Sequence, residues 1–87
     1  MAEYSLVLKK SAAREIDALP TKSERQRVVA RIEALASNAR PQGSEKLAGY
    51  ENRYRVRQGR YRILYSIDDA VLTVVVVRVA HRKDAYR

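Results

Sequence analysis

The sequence predicts an α+β fold, in which a helical hairpin packs on one face of a small, mainly antiparallel sheet of four strands. Two observations lead to this prediction. Apolar residues recur at helical spacing on both sides of Pro20, whereas from Arg53 onward they alternate with a period of two. The predicted element order is therefore β-α-α-β-β-β, and packing the helices on the sheet buries both apolar stripes. With 87 residues the chain has room for a single domain, residues 1–87.

The first half of the chain is predicted to form one strand and two helices. Residues 4–8 alternate as a strand does, and Ser11 is predicted to cap a helix that ends at Pro20. Thr21 and Glu24 have the spacing of a capping box, in which each side chain bonds the other's backbone N–H. The positions predicted to be buried are Ala12, Ala13, Ile16 and Leu19 in the first helix, and Val28, Val29, Ile32, Leu35 and Ala36 in the second.

The second half is predicted to be a loop followed by three strands. Residues 38–51 contain proline, serine and two of the three glycines, which is typical of a linking segment. Strands are then expected at about residues 53–57, 60–67 and 71–80. The last of these is apolar on both faces, as in an interior strand, and Asp68-Asp69 is predicted to form the turn before it.

The positive charge is concentrated in the second half. The chain carries a formal net charge of +8, and nine basic residues against three acidic ones lie within residues 53–87. A net charge so far from zero favours a polyanionic partner. Nucleic acid and an acidic protein segment both fit this requirement.

Composition argues against several classes of site. The chain has no cysteine and one histidine, so no disulfide framework, zinc cluster, other metal site or cofactor is expected. The most apolar segment, residues 70–77, is too short to span a bilayer, so a cytoplasmic protein without a membrane partner is expected. No paired carboxylates, Ser-His-Asp set or phosphate-binding glycine loop stands out.

The segment NRYRVRQGRYR, residues 52–62, holds five arginines and no acidic residue. A two-residue turn at Gln58-Gly59 would place Arg57 opposite Arg60 and Arg55 opposite Arg62 on one side of a hairpin. Like charges that face each other on a sheet destabilise it. Mixed charges would keep an edge strand soluble without this repulsion, and the planar guanidinium matches phosphate oxygens. A polyanion site is therefore favoured over a merely solvated face.

Metal-free RNA cleavage also needs a base for the 2′-hydroxyl proton, and the tail HRKDAYR offers two candidates. Neighbouring arginines would lower the pKa of the Tyr86 phenol, and an imidazole such as that of His81 is well suited to proton transfer. The residues alone leave both open. The further residues predicted to contact RNA are Arg53, Arg60, Arg78, His81 and Lys83.

The run LAGYENRYRVRQGRYRILYSIDDAVLTVVVVRVAHRKDAYR, together with the element order and length, resembles the RelE/ParE toxin superfamily. The segment YRVRQGRYRILY and the ending RVAHRKDAYR carry most of the likeness, which is greater for the RelE-like branch. The resemblance implies a RelE-like microbial RNase fold. It also implies the toxin of a type II toxin-antitoxin module, which binds the ribosome, cleaves mRNA in the decoding site and is held inactive by a RelB-like antitoxin.

The resemblance further implies roles for individual residues. Arg55 and Arg57 match two alternating basic positions that are lysines in the best-known RelE members. An arginine keeps its proton, so these two residues can act only as electrostatic stabilisers. Arg62 and Arg82 would bind and neutralise the scissile phosphate, and Tyr86 would be the base. The tail between Arg82 and Tyr86 is shorter than in the family pattern. The His81 imidazole could supplement or replace the Tyr86 phenol as the base. The alternatives are a ParE-like toxin that inhibits gyrase by binding without catalysis, and an inactive module that only binds its partner.

Overall fold

The computed structural model describes residues 3–81 and 83, and confirms the α+β class. Two helices cover one face of a mixed sheet with the strand order β1-β5-β4-β3-β2. β1 runs parallel to β5, and the other neighbouring pairs are antiparallel. The elements are β1 (Ser5–Leu8), α1 (Lys10–Asp17), α2 (Lys22–Ala34), β2 (Glu45–Lys46), β3 (Arg53–Gln58), β4 (Tyr61–Asp68) and β5 (Thr73–His81).

The sheet has five strands rather than the predicted four. The additional strand, β2, consists of two residues that pair with Arg55 and Tyr54 of β3. It lies in the segment that composition assigns to a loop, and two residues are too few to establish a periodicity. The interior position of β5 is confirmed, because it lies between β1 and β4.

Helix α1 begins at Lys10, with Lys9 as its N-cap, so the prediction that Ser11 caps it is wrong. The Ser11 hydroxyl instead donates to the carbonyl of Val77, at 3.3 Å. One turn further along, Glu15 accepts a hydrogen bond of 2.8 Å from the backbone N–H of Val79. β1 ends before this part of β5, so the side chains of α1 provide hydrogen-bond partners for the carbonyl of Val77 and the N–H of Val79. Backbone polar groups need such partners when they lack a neighbouring strand.

Thr21 is the N-cap of helix α2, as predicted, and its hydroxyl accepts from the backbone N–H of Glu24 at 3.1 Å. The reciprocal half of the capping box is wrong, since the Glu24 carboxylate points to the sheet and accepts from the Tyr61 hydroxyl at 3.2 Å. Val28 and Ile32 are buried as predicted, whereas Val29 is 39% exposed. The buried stripe of α2 is therefore narrower than the sequence suggests.

The core lies between the helices and one face of the sheet. Tyr65 is fully buried there, and its hydroxyl donates to the carbonyl of Ala39 at 2.8 Å. Leu64 and Ala80 are also buried but lie outside this cluster, on the other face of the sheet. The core members on the sheet are Val56, Tyr61, Ile63, Tyr65, Ile67, Val74, Val76 and Val79, and those on the helices are Ala12, Ile16, Val28 and Ile32.

The β3–β4 hairpin turns at Gly59-Arg60, so the predicted turn at Gln58-Gly59 is wrong by one position. Gln58 pairs with Tyr61, and Arg57 pairs with Arg62 rather than with Arg60. Gly59 has a φ of 60°, as type II′ turns require of their first central residue. A single facing arginine pair therefore replaces the two that were predicted.

The β4–β5 turn lies one residue later than the predicted Asp68-Asp69, because Asp68 is the last residue of β4 and the turn begins at Asp69. The Asp68 carboxylate accepts from the backbone N–H groups of Ala70 and Val71, at 3.0 and 3.3 Å. Asp69 accepts from Arg40 at 2.8 Å and from the Tyr4 hydroxyl, and both bonds lower the pKa of this carboxyl. These contacts join the turn to the loop after α2 and to the start of β1.

Neither helix, α1 nor α2, is long and apolar enough to cross a membrane.

Candidate nucleic-acid interface

Four arginines share the sheet face that the helices leave open. On β3, residues Arg53, Arg55 and Arg57 alternate with Tyr54 and Val56, which belong to the core side. On β4, Arg62 is paired with Arg57 and so projects from the same face. We refer to Arg53, Arg55, Arg57 and Arg62 as the arginine face.

A groove of about 480 Å³ lies on this face near the turn of the hairpin. Arg55, Arg57 and Arg62 line it, together with Gly43 and Glu45 from the segment around β2. The three guanidinium groups surround an open, polar concavity. Such a groove offers several forked donors to one anionic ligand.

One carboxylate of the chain lies among these cations. Glu45 forms an ion pair with Arg55, with which it is in register across β2 and β3. The hydrogen bond from Arg55 is the main reason that the pKa of Glu45 is lowered, and the charges of Arg62 and Arg57 lower it further. Among these side chains four positive charges face one negative charge, so the arginine face keeps a net positive charge.

The remaining contacts on the arginine face also involve charge. The Arg53 guanidinium lies over the ring of Tyr50, 4.9 Å from its centroid, a cation–π contact at the margin of the face. Arg57 and Arg62 stand directly opposite each other, which places two like charges on adjacent strands. Facing arginines, the feature that favours a polyanion site, are therefore present at one pair, Arg57 and Arg62, rather than at two.

Two of the arginines predicted to bind RNA lie elsewhere. Arg60 is in the hairpin turn, and its Nε is 4.0 Å from the Glu24 carboxylate on the helix side. Arg78 is in register with Leu64, but its Nε lies 3.4 Å from the Glu15 carboxylate of α1. Neither joins the groove.

His81 lies on the helix side of the sheet, across from the arginine face. It pairs with Tyr61, and the two rings meet edge to face with centroids 5.8 Å apart. Its Nδ1 accepts from the backbone N–H of Lys83 at 3.3 Å, which leaves the proton of a neutral imidazole on Nε2. Lys83 itself is exposed. The described geometry does not bring His81 together with Arg57 and Arg62.

A β-bulge explains this placement. Leu64 pairs with Arg78, whereas the next residue, Tyr65, pairs with Val76, so Val77 is an additional residue in β5. Before it, even-numbered side chains of β5 face the helices; after it, odd-numbered ones do. Simple alternation would have put His81 on the arginine face.

Two predicted catalytic residues, Arg82 and Tyr86, lie outside the described residues, so their roles stay predictions. Within residues 3–81 and 83, no group of three or more His, Asp or Glu side chains is arranged to hold a metal ion. Sequence reasoning missed Glu45, which the short β2 brings to the groove. A single Glu in a loop-like segment carries no periodic signal that could have revealed this.

The chain belongs to a family of toxins. Residues 6–86 match the family described as ParE toxin of type II toxin-antitoxin system, parDE. Within the RelE/ParE superfamily this protein is a RelE-like toxin, as its individual relatives show.

Three relatives support this placement. Toxin RelE of Mycobacterium tuberculosis is 30% identical over 84 residues, which are 97% of this chain and 87% of that protein. Toxin RelG of the same organism is 56% identical over 34 residues, a match that spans only 39% of each protein. The solved toxin-antitoxin complex RelBE2 from M. tuberculosis contains a chain that is similar with a TM-score of 0.80 and 30% identity, covering 93% of this chain and 100% of that one.

Proposed function

We propose that this toxin is a metal-independent endoribonuclease that enters the ribosomal decoding site in the cytoplasm and cleaves mRNA there, which stops translation. The observation that carries the proposal is the groove of about 480 Å³ lined by Arg55, Arg57 and Arg62. A chain phosphate needs several forked donors, and a pentacoordinate phosphate carries more negative charge than the ground state. Cations held on a rigid sheet stabilise that additional charge without reorganising during the reaction.

The proposed reaction is attack by the 2′-hydroxyl on the adjacent phosphorus. The O2′–P bond forms while the P–O5′ bond breaks, giving a 2′,3′-cyclic phosphate and a 5′-hydroxyl. Tyr86 removes the 2′-hydroxyl proton, Arg62 and Arg82 neutralise the phosphate oxygens, and a donor returns a proton to O5′. Arg55 and Arg57 contribute charge only, because an arginine does not lose its proton at physiological pH.

The position of His81 supports Tyr86 as the base. The imidazole contacts Tyr61 on the helix side, and its Nδ1 is occupied by the Lys83 N–H. A neutral imidazole in this state carries its proton on Nε2 and has no free acceptor for a substrate proton. Of the two candidate bases, Tyr86 is therefore the one we propose.

The proposed partner that restrains the toxin is a small RelB-like antitoxin. The relative of known structure from M. tuberculosis is a toxin-antitoxin complex, which supports a partner of the same kind here. The uneven charge of this chain, +8 overall, favours a partner with acidic segments.

Toeprinting of translating ribosomes tests the proposed function. Wild-type protein should produce new stops at the decoding site, and Tyr86→Phe should abolish most of them while antitoxin binding persists. Arg14→Gln, a change on the exposed side of α1, serves as the control that keeps cleavage. Absence of stops with folded wild-type protein would contradict the nuclease assignment.

A gyrase-inhibiting toxin that acts by binding alone is the second candidate, because the matching family is described as ParE toxin. It predicts that Tyr86→Phe still arrests growth and that the purified protein blocks DNA supercoiling. If supercoiling proceeds normally while ribosomal stops appear, this candidate is excluded.

A further inference from the structure

A second concavity lies on the other side of the hairpin turn. Its volume is about 300 Å³, and it is bounded by the start of α2 and by the turn itself. Such a volume is at the lower end of the range for ligand pockets, ~300 to 1,000 Å³, so it suits one ring system rather than a long chain. The lining residues are Glu24, Arg27, Val28, Gln58, Gly59, Arg60 and Tyr61.

Glu24 is the most informative residue of this pocket. Its position in the capping box predicts a carboxylate turned back to its own helix, yet the carboxylate is directed to the hairpin. There it accepts from the Tyr61 hydroxyl at 3.2 Å and lies 4.0 Å from the Nε of Arg60. An ionised carboxylate has about four lone-pair positions on two oxygens, so it can accept further donors from a ligand.

The other lining groups suit a planar base. The buried side chains of Val28 and Tyr61 line the pocket with apolar and aromatic groups, and Gln58 adds an amide. Arg27 and Arg60 provide guanidinium groups, which stack on bases and attract phosphates. Proteins read single-stranded RNA by this combination of stacking and hydrogen bonds to base edges.

The pocket is also next to the arginine face. Arg57 lines the groove and Gln58 lines the pocket, and as successive strand residues they project to opposite sides of the sheet. One RNA strand that lies in the groove can therefore continue over the Gly59-Arg60 turn and reach the pocket with a neighbouring nucleotide.

We propose that this pocket binds a guanine base of the RNA, with the Glu24 carboxylate accepting from the base. The Watson–Crick edge of guanine presents two adjacent donors, N1–H and the 2-amino group, which match the two oxygens of one carboxylate. Adenine and cytosine present one amino donor beside an acceptor nitrogen, which a carboxylate repels. The pocket thus determines specificity, and this inference rests on the proposed RNA cleavage.

The decisive variant is Glu24→Gln. Glutamine keeps an oxygen for the Tyr61 hydroxyl and presents one acceptor beside one donor, which complements adenine and cytosine instead of guanine. We expect wild-type protein to cleave messages with guanine at one fixed position near the cut most rapidly. Glu24→Gln should reduce that preference roughly tenfold and favour adenine or cytosine there, since a bidentate base contact discriminates by about that factor or more.

Glu33→Gln is the matched control, because it removes a carboxylate from the exposed end of the same helix, about 13.5 Å further along its axis. It should leave both the rate and the base preference unchanged. Equal base preference in wild-type and Glu24→Gln protein would overturn the inference. So would a Glu24→Gln variant that cleaves with unchanged preference but loses antitoxin binding, since the pocket would then belong to the antitoxin.

A second measurement does not depend on the ribosome. Isotope-labelled toxin titrated with GMP should show shifts of the Gly59 amide and the Gln58 side-chain amide, and equal concentrations of AMP should shift them less. Glu24→Gln should reverse this order. If GMP and AMP act alike on wild-type protein, the guanine pocket is wrong even where ribosomal cleavage is observed; if the GMP result holds without any cleavage, the proposed nuclease function fails instead.

Discussion

The two faces of the β3–β4 hairpin are built from alternating residues of the same strands, yet they serve different ends. Towards the helices lie Val56, Ile63 and Tyr65, each no more than 1% exposed. Towards solvent lie the arginines, with Arg57 directly opposite Arg62. The first face buries apolar area and stabilises the fold, whereas the second places like charges together and lowers stability.

Under the proposed function, the facing arginines lower stability and contribute positive charge for binding RNA. Repulsion on the arginine face is tolerated because the helix-covered face supplies enough burial. If the two faces have separate roles, substitutions on the helix-covered face should change the free energy of unfolding. Substitutions on the arginine face should change function. Substitutions on each face test that separation.

Ile63→Ala should destabilise the protein by about 2 to 5 kcal/mol, because it leaves a cavity at a fully buried position of the core. Urea unfolding followed by circular dichroism measures this change. Arg53→Ala, on the opposite face of the same hairpin, is the control and should alter the free energy of unfolding far less. Comparable losses in both variants would show that the two faces do not divide their roles.

Arg62→Gln should lower ribosome-dependent cleavage by about 100-fold or more, equivalent to ~2.7 kcal/mol in the barrier, if the guanidinium stabilises the transition state. Its stability should change much less than that of Ile63→Ala. Single-turnover cleavage with saturating toxin separates the barrier from binding. Retention of full cleavage by a folded Arg62→Gln variant would remove this residue from the site.

Arg57→Gln should stabilise the isolated protein by a few tenths of a kcal/mol up to about 1 kcal/mol, because it relieves the repulsion with Arg62. The same change should weaken RNA binding and reduce its salt dependence, since one phosphate contact is lost. Paired measurements of Tm and of binding at several salt concentrations test both parts. A loss of stability would mean that the facing arginines are not mutually unfavourable.

The loss of stability at acidic pH should depend on Glu45. Its pKa is lowered in the folded protein by Arg55, so its contribution is present above the ordinary pKa of about 4.5 and is lost as the pH falls through the lowered folded value. Glu45→Gln should flatten the decline in Tm below pH 4.5 and should strengthen RNA binding at neutral pH by removing an acid from the groove. Glu51→Gln, an exposed change in the loop before β3, should do neither.

Much of the fold followed from periodicity. The faces of β3 and β4 were predicted correctly even though the turn was misplaced, because the pairing changed by an even number of residues and kept each side chain on its face. The position of Gly59 as the first central residue of the turn, not the second, decides the register. Glycine alone is compatible with both positions.

The parts of the site that could not be predicted depend on irregular or long-range structure. The additional residue at Val77 moves His81 to the helix side, and a run of valines gives no sign of where a strand bulges. Glu15 and Glu24 reach the sheet from helices, where they pair with Arg78 and Arg60. Such pairs depend on how the layers pack, which local patterns do not specify.

The contacts between α1 and β5 also affect how the folded protein meets other copies of itself. Where β1 stops, Ser11 and Glu15 occupy a carbonyl and an N–H of β5 that would otherwise be open to another strand. On this side of the sheet, an incoming extended segment can therefore pair only with the four residues of β1, which are a short template. Loss of Glu15 should uncover part of the β5 edge and make concentrated solutions of the toxin prone to aggregation.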